Sequence, residues 1–273
     1  LEANIESVLK VLRKKEKMTI NLKFSKAVQN SKEILGFIKE FNSEKGTVFG
    51  NGDRNIIKLF ELKGNIINVK SFKIPNIINK IAYKYYRKSK AKRSFEYATI
   101  LLERGIGTPE PLAYFENFNR IGLRESYYVS EHLKANLTFR ELVETPDYPD
   151  HENILRQFTK FTFDLHEKGI EFLDHSPGNT LIKKGANNNY SFYLVDLNRM
   201  NFLKIMDFDR RMRNFSRLTP KKEMIALMCN EYAKYYQESE SAMFQKMWQY
   251  TVDFQGKLAR KRSLKKTLQF WKS

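Results

Sequence analysis

Apolar positions change their rhythm near the middle of the chain. Thr47-Val48-Phe49 and Asn55 to Phe60 are short β-like runs on either side of the turn residues Gly50-Asn51-Gly52-Asp53. Asn65 to Phe72 alternates as a third strand, and Pro111 to Phe115 and Ser126 to Glu131 read as two more. Two helical patterns interrupt this half, a short one over Asn30 to Phe41 and a longer one over Lys92 to Arg104 that stops at Gly105. After Leu133 the helical period takes over. In Glu152 to Lys168 the positions Ile154, Leu155, Phe158, Phe161, Thr162 and Leu165 share one face, and Gly169 ends the helix. Thr180 to Ile182 and Tyr190 to Val195 predict a hairpin around the polar turn Lys183 to Asn189. The remainder is helical, with Trp248, Phe254 and Leu258 as packing residues.

This order predicts an α+β protein of two lobes, a small antiparallel sheet with one key helix followed by a mainly helical lobe, and a cleft between them near residue 132. The expected boundaries are 1–40 for a helical N-terminal extension, 41–132 for the first lobe, and 133–273 for the second with a basic C-terminal helix. Met18 is a candidate start, which would leave 1–17 as a charged helix or tail. No internal repeat is visible.

Composition adds an anionic partner to this picture. Of 273 residues, 41% are hydrophobic, with 21 Phe and 14 Tyr, enough for a packed core. The net charge is +18, which favours nucleotide, phosphorylated sugar, acidic lipid or nucleic acid. The charge is unevenly spread: Leu62 to Phe95 holds ten basic residues and no acid, and Lys257 to Lys272 holds seven more, again without an acid. A single cysteine, Cys229, excludes an internal disulfide and fits a reducing compartment. With no run of about 20 apolar residues and no secretory signal visible, the expected location is the cytoplasm.

The candidate chemistry lies in two motifs. Asp174-His175-Ser176-Pro177-Gly178-Asn179 places an Asp and an Asn on one loop, and Asp196-Leu197-Asn198 follows the apolar run Phe192 to Val195. Phosphoryl transfer needs an aligned nucleophile, neutralised phosphate charge and a fixed cation rather than covalent work from the protein. Asp174 is the candidate catalytic residue that orients an acceptor hydroxyl and takes its proton. Asn179 and Asp196 offer the oxygen ligands that Mg2+, a hard cation, prefers. In the first lobe, Lys70 ends a strand with Ile67 and Val69 on the opposite face, and it is the candidate for the nucleotide phosphates, with Lys73 a nearby competitor. Glu96, on the following helix, is its candidate ion-pair partner. Gly50 and Gly52 are candidates for a loop over the phosphates, although a plain hairpin turn accounts for them equally. No zinc spacing, Walker A motif or G-x-S-x-G is present.

These residues resemble the lipopolysaccharide-core sugar kinases, of Kdo and heptose kinase type, within the protein-kinase-like superfamily. Val69-Lys70-Ser71-Phe72-Lys73, Arg87 to Ala91 with Arg93 to Glu96, Ser176 to Asn179, and Val195-Asp196-Leu197-Asn198-Arg199 carry the resemblance over about residues 45 to 210. It implies ATP and Mg2+ as cofactors and γ-phosphoryl transfer to a sugar hydroxyl. It further implies an anionic lipid A–core glycolipid as acceptor, at the inner face of the inner membrane. The basic C-terminal run, with Leu264, Leu268, Phe270 and Trp271, would then contact that surface.

One departure stands out. Phe172 occupies the position, two before the catalytic Asp, where kinase relatives carry His, and Leu173 replaces the adjacent basic residue. The missing cation argues against control by activation-loop phosphorylation. Two other readings remain open from the sequence: a soluble small-molecule kinase of aminoglycoside or choline kinase type, and a non-catalytic kinase-fold binder. Nucleic acid is disfavoured because the basic runs carry no recognised binding motif.

Overall fold

The computed structural model describes residues 19–26, 28–50 and 55–270, with the side chains of 265, 266 and 268–270 left aside. The chain divides after Leu133 into two compact units.

The first unit is built on a six-stranded antiparallel sheet in the order β1-β5-β6-β4-β3-β2. Its strands are β1 (Thr19–Phe24), β2 (Thr47–Phe49), β3 (Asn55–Leu62), β4 (Asn65–Phe72), β5 (Pro111–Phe118) and β6 (Leu123–Glu131). Helices α1 (Ser31–Lys39), α2 (Ile77–Tyr85) and α3 (Lys90–Glu103) accompany it. Because strand side chains alternate between faces, the sheet carries two separate apolar layers. Ile67 and Val69 of β4, Ala113 and Phe115 of β5, and Tyr127 and Val129 of β6 meet Ile34, Leu35 and Ile38 of α1. On the opposite face Phe72, Tyr114 and Tyr128 pack with Ala91 and Phe95 of α3. Ser89 caps α3 by accepting from the Lys92 N–H at 3.0 Å.

The expected helical extension over 1–40 is therefore corrected for its described part. Thr19–Phe24 pairs along its whole length with β5, from Thr19 opposite Phe118 to Phe24 opposite Ala113. Ile20 and the α1 leucine and isoleucines belong to the core of this unit. Burying those side chains stabilises a strand and helix in the body of the unit. Residues 1–17, read from the sequence as a charged helix or tail, lie outside the described residues.

The second unit packs α4 (Phe139–Glu144), α5 (His151–Glu167), α6 (Phe208–Asn214), α7 (Lys222–Tyr232) and α8 (Glu240–Phe270) around short strands. The stripe predicted on α5 is the core stripe: Ile154, Leu155, Phe158, Thr162 and Leu165 are fully buried. Ile154, Leu155 and Phe158 share a cluster with Met224, Ile225 and Met228 of α7 and Met243 and Met247 of α8. Cys229 lies in this core with its sulfur 3.8 Å from that of Met247, and burial pushes its thiol up to about 12. The short strands are β7 (Leu137–Thr138), β8 (Ile170–Phe172), β9 (Thr180–Lys184), β10 (Tyr190–Leu194) and β11 (Met200–Phe202). β9 and β10 form the predicted hairpin, and β8 pairs with β11. Among the described residues no helix is long and apolar enough to cross a membrane.

Candidate active site

Two ladders of the second unit bring its motif residues together. Met200 sits opposite Phe172 in the β8–β11 pair, and one further bond, Leu173 N–H to the Arg199 carbonyl at 3.1 Å, carries the pairing to the edge of Asp174. Thr180 sits opposite Leu194 in the β9–β10 hairpin, and the Val195 N–H donates to the Asn179 carbonyl at 3.0 Å. The Asp174–Asn179 loop and the Asp196–Arg199 segment are thus held alongside each other by backbone bonds at both ends. Residues 22 positions apart become neighbours through pairs too short to fold alone.

Asp174 is half-buried, and the guanidinium groups of two arginines meet its Oδ1. Arg217 Nη1 lies at 2.9 Å and Arg199 Nη1 at 3.1 Å. Arg217 also donates to the Leu173 carbonyl at 2.8 Å and lies over the Phe254 ring, 5.4 Å from its centroid. Asn179 Nδ2 donates to the Asp174 carbonyl at 2.8 Å. That bond ties down the donor end of the amide and turns its oxygen the other way, the end a hard cation would use. Asp196 is exposed and adopts φ 59°, the left-handed region that is uncommon for a side-chain-bearing residue and clusters at functional sites. Asn198 Nδ2 donates to Asp196 Oδ1 at 2.9 Å, while Leu197 is buried as the anchor of the segment. The donor set of one amide oxygen and one carboxylate fits Mg2+ and suits neither zinc nor a soft metal.

Behind the loop, Phe172 is fully buried, and its carbonyl accepts from Asn214 Nδ2 at 2.9 Å and from the His175 N–H at 3.1 Å. Asn214 is a brace that sequence reasoning missed. Its Oδ1 lies 3.1 Å from His166 Nε2 and 3.3 Å from His175 Nδ1. An amide oxygen only accepts, so both imidazole nitrogens carry the donated proton. Burial holds both rings neutral, His175 lowered to about 4 and His166 to about 3.

These shifts predict acid sensitivity with a definite sign. Unfolded, each imidazole gains a proton below about 6.5, while the folded rings resist until about 4 and about 3. Between those limits the unfolded chain binds more protons, so stability is present above about 6.5 and is lost as the pH falls towards 4. The expected loss is roughly 1.4 kcal/mol per pH unit for each ring. Thermal melts of the protein over this range will show the midpoint falling with pH, and a midpoint constant from neutral pH to about 5 would contradict the assignment.

In the first unit Lys70 stands opposite Ile57 on one side and Tyr128 on the other. Ile67 and Val69 are buried on the far face, as the alternation predicts. Lys70 Nζ lies 5.4 Å from the centroid of Phe72, on the face that packs with Phe95. Glu96, the next residue of α3, accepts from Lys88 Nζ at 2.8 Å. Lys70 and the helix of Glu96 therefore belong to one face of one sheet. Gly50 follows β2 with φ 81° and open space around it. Gly52 lies outside the described residues, as does Trp271, and the side chains of Leu268 and Phe270 are likewise outside them.

The profile of the lipopolysaccharide kinase (Kdo/WaaP) family matches residues 39–247. The chain belongs to this family. No curated protein matches the sequence. Among solved structures, WaaP in complex with acyl carrier protein is similar over 88% of this chain and 98% of that one, with a TM-score of 0.60 at 13% identity. The Rio2 kinase-ADP/Mg2+-phosphoaspartate complex from Chaetomium thermophilum aligns over 90% of this chain and 76% of that one, with a TM-score of 0.44 at 15% identity. The fold is protein-kinase-like, an antiparallel sheet unit followed by a helical one. As a member of the lipopolysaccharide kinase family the chain is a kinase of the lipopolysaccharide core, acting on a sugar hydroxyl. This membership goes against the two readings left open above, a soluble small-molecule kinase and a non-catalytic binder.

Proposed function

We propose that the enzyme transfers the γ-phosphoryl group of ATP to a hydroxyl of a Kdo or heptose residue on the lipid A–core glycolipid, at the inner face of the inner membrane. The observation that supports this reading most is the pair of ladders that sets Asp174, Asn179 and Asp196 on adjoining segments of the second unit. Asp174 orients the acceptor hydroxyl and accepts its proton. Asn179 and Asp196 hold Mg2+, which supplies charge neutralisation at the phosphates when bound. Lys70, positioned with Glu96, binds nucleotide phosphates, and Gly50 contributes to a loop over them. The net charge of +18 supports an anionic acceptor and an anionic membrane surface.

Arg217 holds the working geometry of Asp174. Arg217→Ala removes its bonds to the carboxylate and to the Leu173 carbonyl. Misplacing a catalytic group by a fraction of an ångström to an ångström lowers turnover steeply, so kcat is expected to fall about 10- to 100-fold with ATP binding retained. Arg217→Lys restores charge without the fork and recovers only part of the rate. Steady-state kinetics with ATP varied separates the two effects.

Transfer of labelled γ-phosphate from ATP with Mg2+ to a Kdo-bearing lipid A precursor, or to a heptose-extended one, tests the reading. Label in one of the two identifies the acceptor. Nucleotide binding with no label in either would overturn it.

A further inference from the structure

Helix α2 is inside out for a surface helix. Ordinarily the apolar stripe of such a helix turns to the core. Here no residue of α2 is buried. Ile77, Ile78, Ile81 and Tyr85 are spaced at three, four and eight positions and form one stripe, yet they are 63%, 76%, 42% and 65% exposed. Ile74, just before the helix, and Tyr86, just after it, are exposed as well. Isolated exposed apolar residues need no explanation, but a continuous stripe of them does.

The helix is not a stray segment. Asn76 caps it by accepting from the Asn79 N–H at 3.0 Å. Lys84 Nζ donates to the carbonyls of Asn119 and Arg120, at 3.2 and 2.8 Å, in the turn between β5 and β6. Gly122 of that turn lies so close to the Lys80 carbonyl that a Cβ there would meet it at 2.4 Å. The polar side of α2 is therefore fastened to the sheet hairpin, and the apolar side is presented outward.

The surroundings specify what it meets. The segment from Leu62 to Phe95 contains ten basic residues and no acid. Some are engaged, Lys84 on the hairpin carbonyls and Lys88 on Glu96, and Arg87 lies over the Tyr83 ring at 5.7 Å. Engagement with neutral carbonyls or a ring leaves their positive charge in place. An exposed apolar stripe in a segment rich in lysine and arginine and without an acid of its own is the chemistry of a helix that lies in a bilayer interface, apolar face among the acyl chains and cations at anionic headgroups.

We propose that the outward face of α2, with its flanking lysines and arginines, docks the enzyme on an anionic phospholipid bilayer. The inference rests on the glycolipid-kinase reading above, because a lipid-borne acceptor requires the enzyme at a membrane. It moves the main membrane contact from the C-terminal helix to the first unit.

Flotation with vesicles of phosphatidylcholine mixed with phosphatidylglycerol, against phosphatidylcholine alone, tests it on the full chain. Wild type is expected to float with the anionic vesicles and to be released by high salt. Ile78→Glu with Ile81→Glu, and separately Ile77→Ser with Tyr85→Ser, are expected to lower the bound fraction at least about tenfold. Both variants should keep wild-type melting and wild-type phosphorylation of a deacylated, water-soluble acceptor. Failure of wild type to float, or variants that float like wild type, would overturn the proposal. So would a dimer, or a complex with an acidic protein, that the same substitutions abolish while vesicle binding persists. Vesicle binding that the substitutions remove, with no phosphorylation of either acceptor by wild type, would leave the docking surface standing and defeat the proposed function instead.

Discussion

Asp174→Ala is expected to lower kcat by about 100- to 10,000-fold, the range that a positioned general base contributes. That corresponds to about 2.7 to 5.5 kcal/mol of lost transition-state stabilisation at roughly 1.4 kcal/mol per decade. The fold should survive. The Asp174 side chain is 20% exposed, and its ion-pair partners Arg199 and Arg217 are 53% and 34% exposed, so water reaches both pairs. Solvent-screened pairs of this kind contribute only about 1 kcal/mol or less each to stability. The bonds that shape the loop, from the Asn179 side-chain Nδ2 to the Asp174 carbonyl and from the Val195 N–H to the Asn179 carbonyl, do not involve the deleted carboxylate. Label transfer measured beside nucleotide titration gives the decisive pair of numbers. Binding near wild type with transfer lost fits the assignment, whereas transfer within a few-fold of wild type would remove Asp174 from the chemistry.

Gly169→Ala is expected to destabilise the second unit by at least about 3 kcal/mol, through strain at a special backbone conformation and a steric collision. Gly169 ends α5 with φ 66°, and a Cβ there would lie 2.0 Å from the Leu203 carbonyl oxygen. That oxygen belongs to backbone, and Leu203 N–H itself donates to the Gly169 carbonyl at 2.7 Å, so neither side can yield without breaking the approach. The contact joins the start of β8 to the end of β11, the pair that sets Asp174 beside Arg199. Activity should therefore fall together with stability. Denaturant titration followed by far-UV signal measures the first, and a midpoint equal to wild type would show that the helix end can relax without disturbing the pair.

Elements with a sustained period or a turn beside them were readable from the chain, β2 at Thr47–Phe49 among them, and several others were not. α5 announced itself because its apolar residues recur on one face and do pack inward. β4 was readable for the same reason at period two, which also placed Lys70 opposite Ile67 and Val69. β1 escaped because Thr19–Phe24 finds its partner in β5, far along the chain, with no turn chemistry between them. α2 went unread although Ile77, Ile78, Ile81 and Tyr85 recur at helical spacing; at nine residues after Pro75 it is a short stripe. Three-residue strands such as β8 and β11 are too short to show a period.

The candidate site divides along the same line. Motif spacing made Asp174, Asn179 and Asp196 candidates, since their residue types recur in two short runs on either side of one hairpin. It could not find Arg217 or Asn214, which reach the loop from beyond α6 and from its last turn, some forty residues later. Nor could it foresee the left-handed backbone of Asp196. A lone guanidinium or amide in a helical region carries no sign of what it will touch.

The core placement of Cys229 makes it a natural clock. Only the thiolate attacks a thiol reagent, and here burial disfavours that form and the packing keeps the reagent out. Modification must wait for the second unit to open, so its rate at neutral pH counts openings that spectroscopy averages away. Since the chain has no other cysteine, a cysteine introduced on the surface would accept a fluorophore alone, leaving the native one in reserve to time the protein's breathing in the same sample.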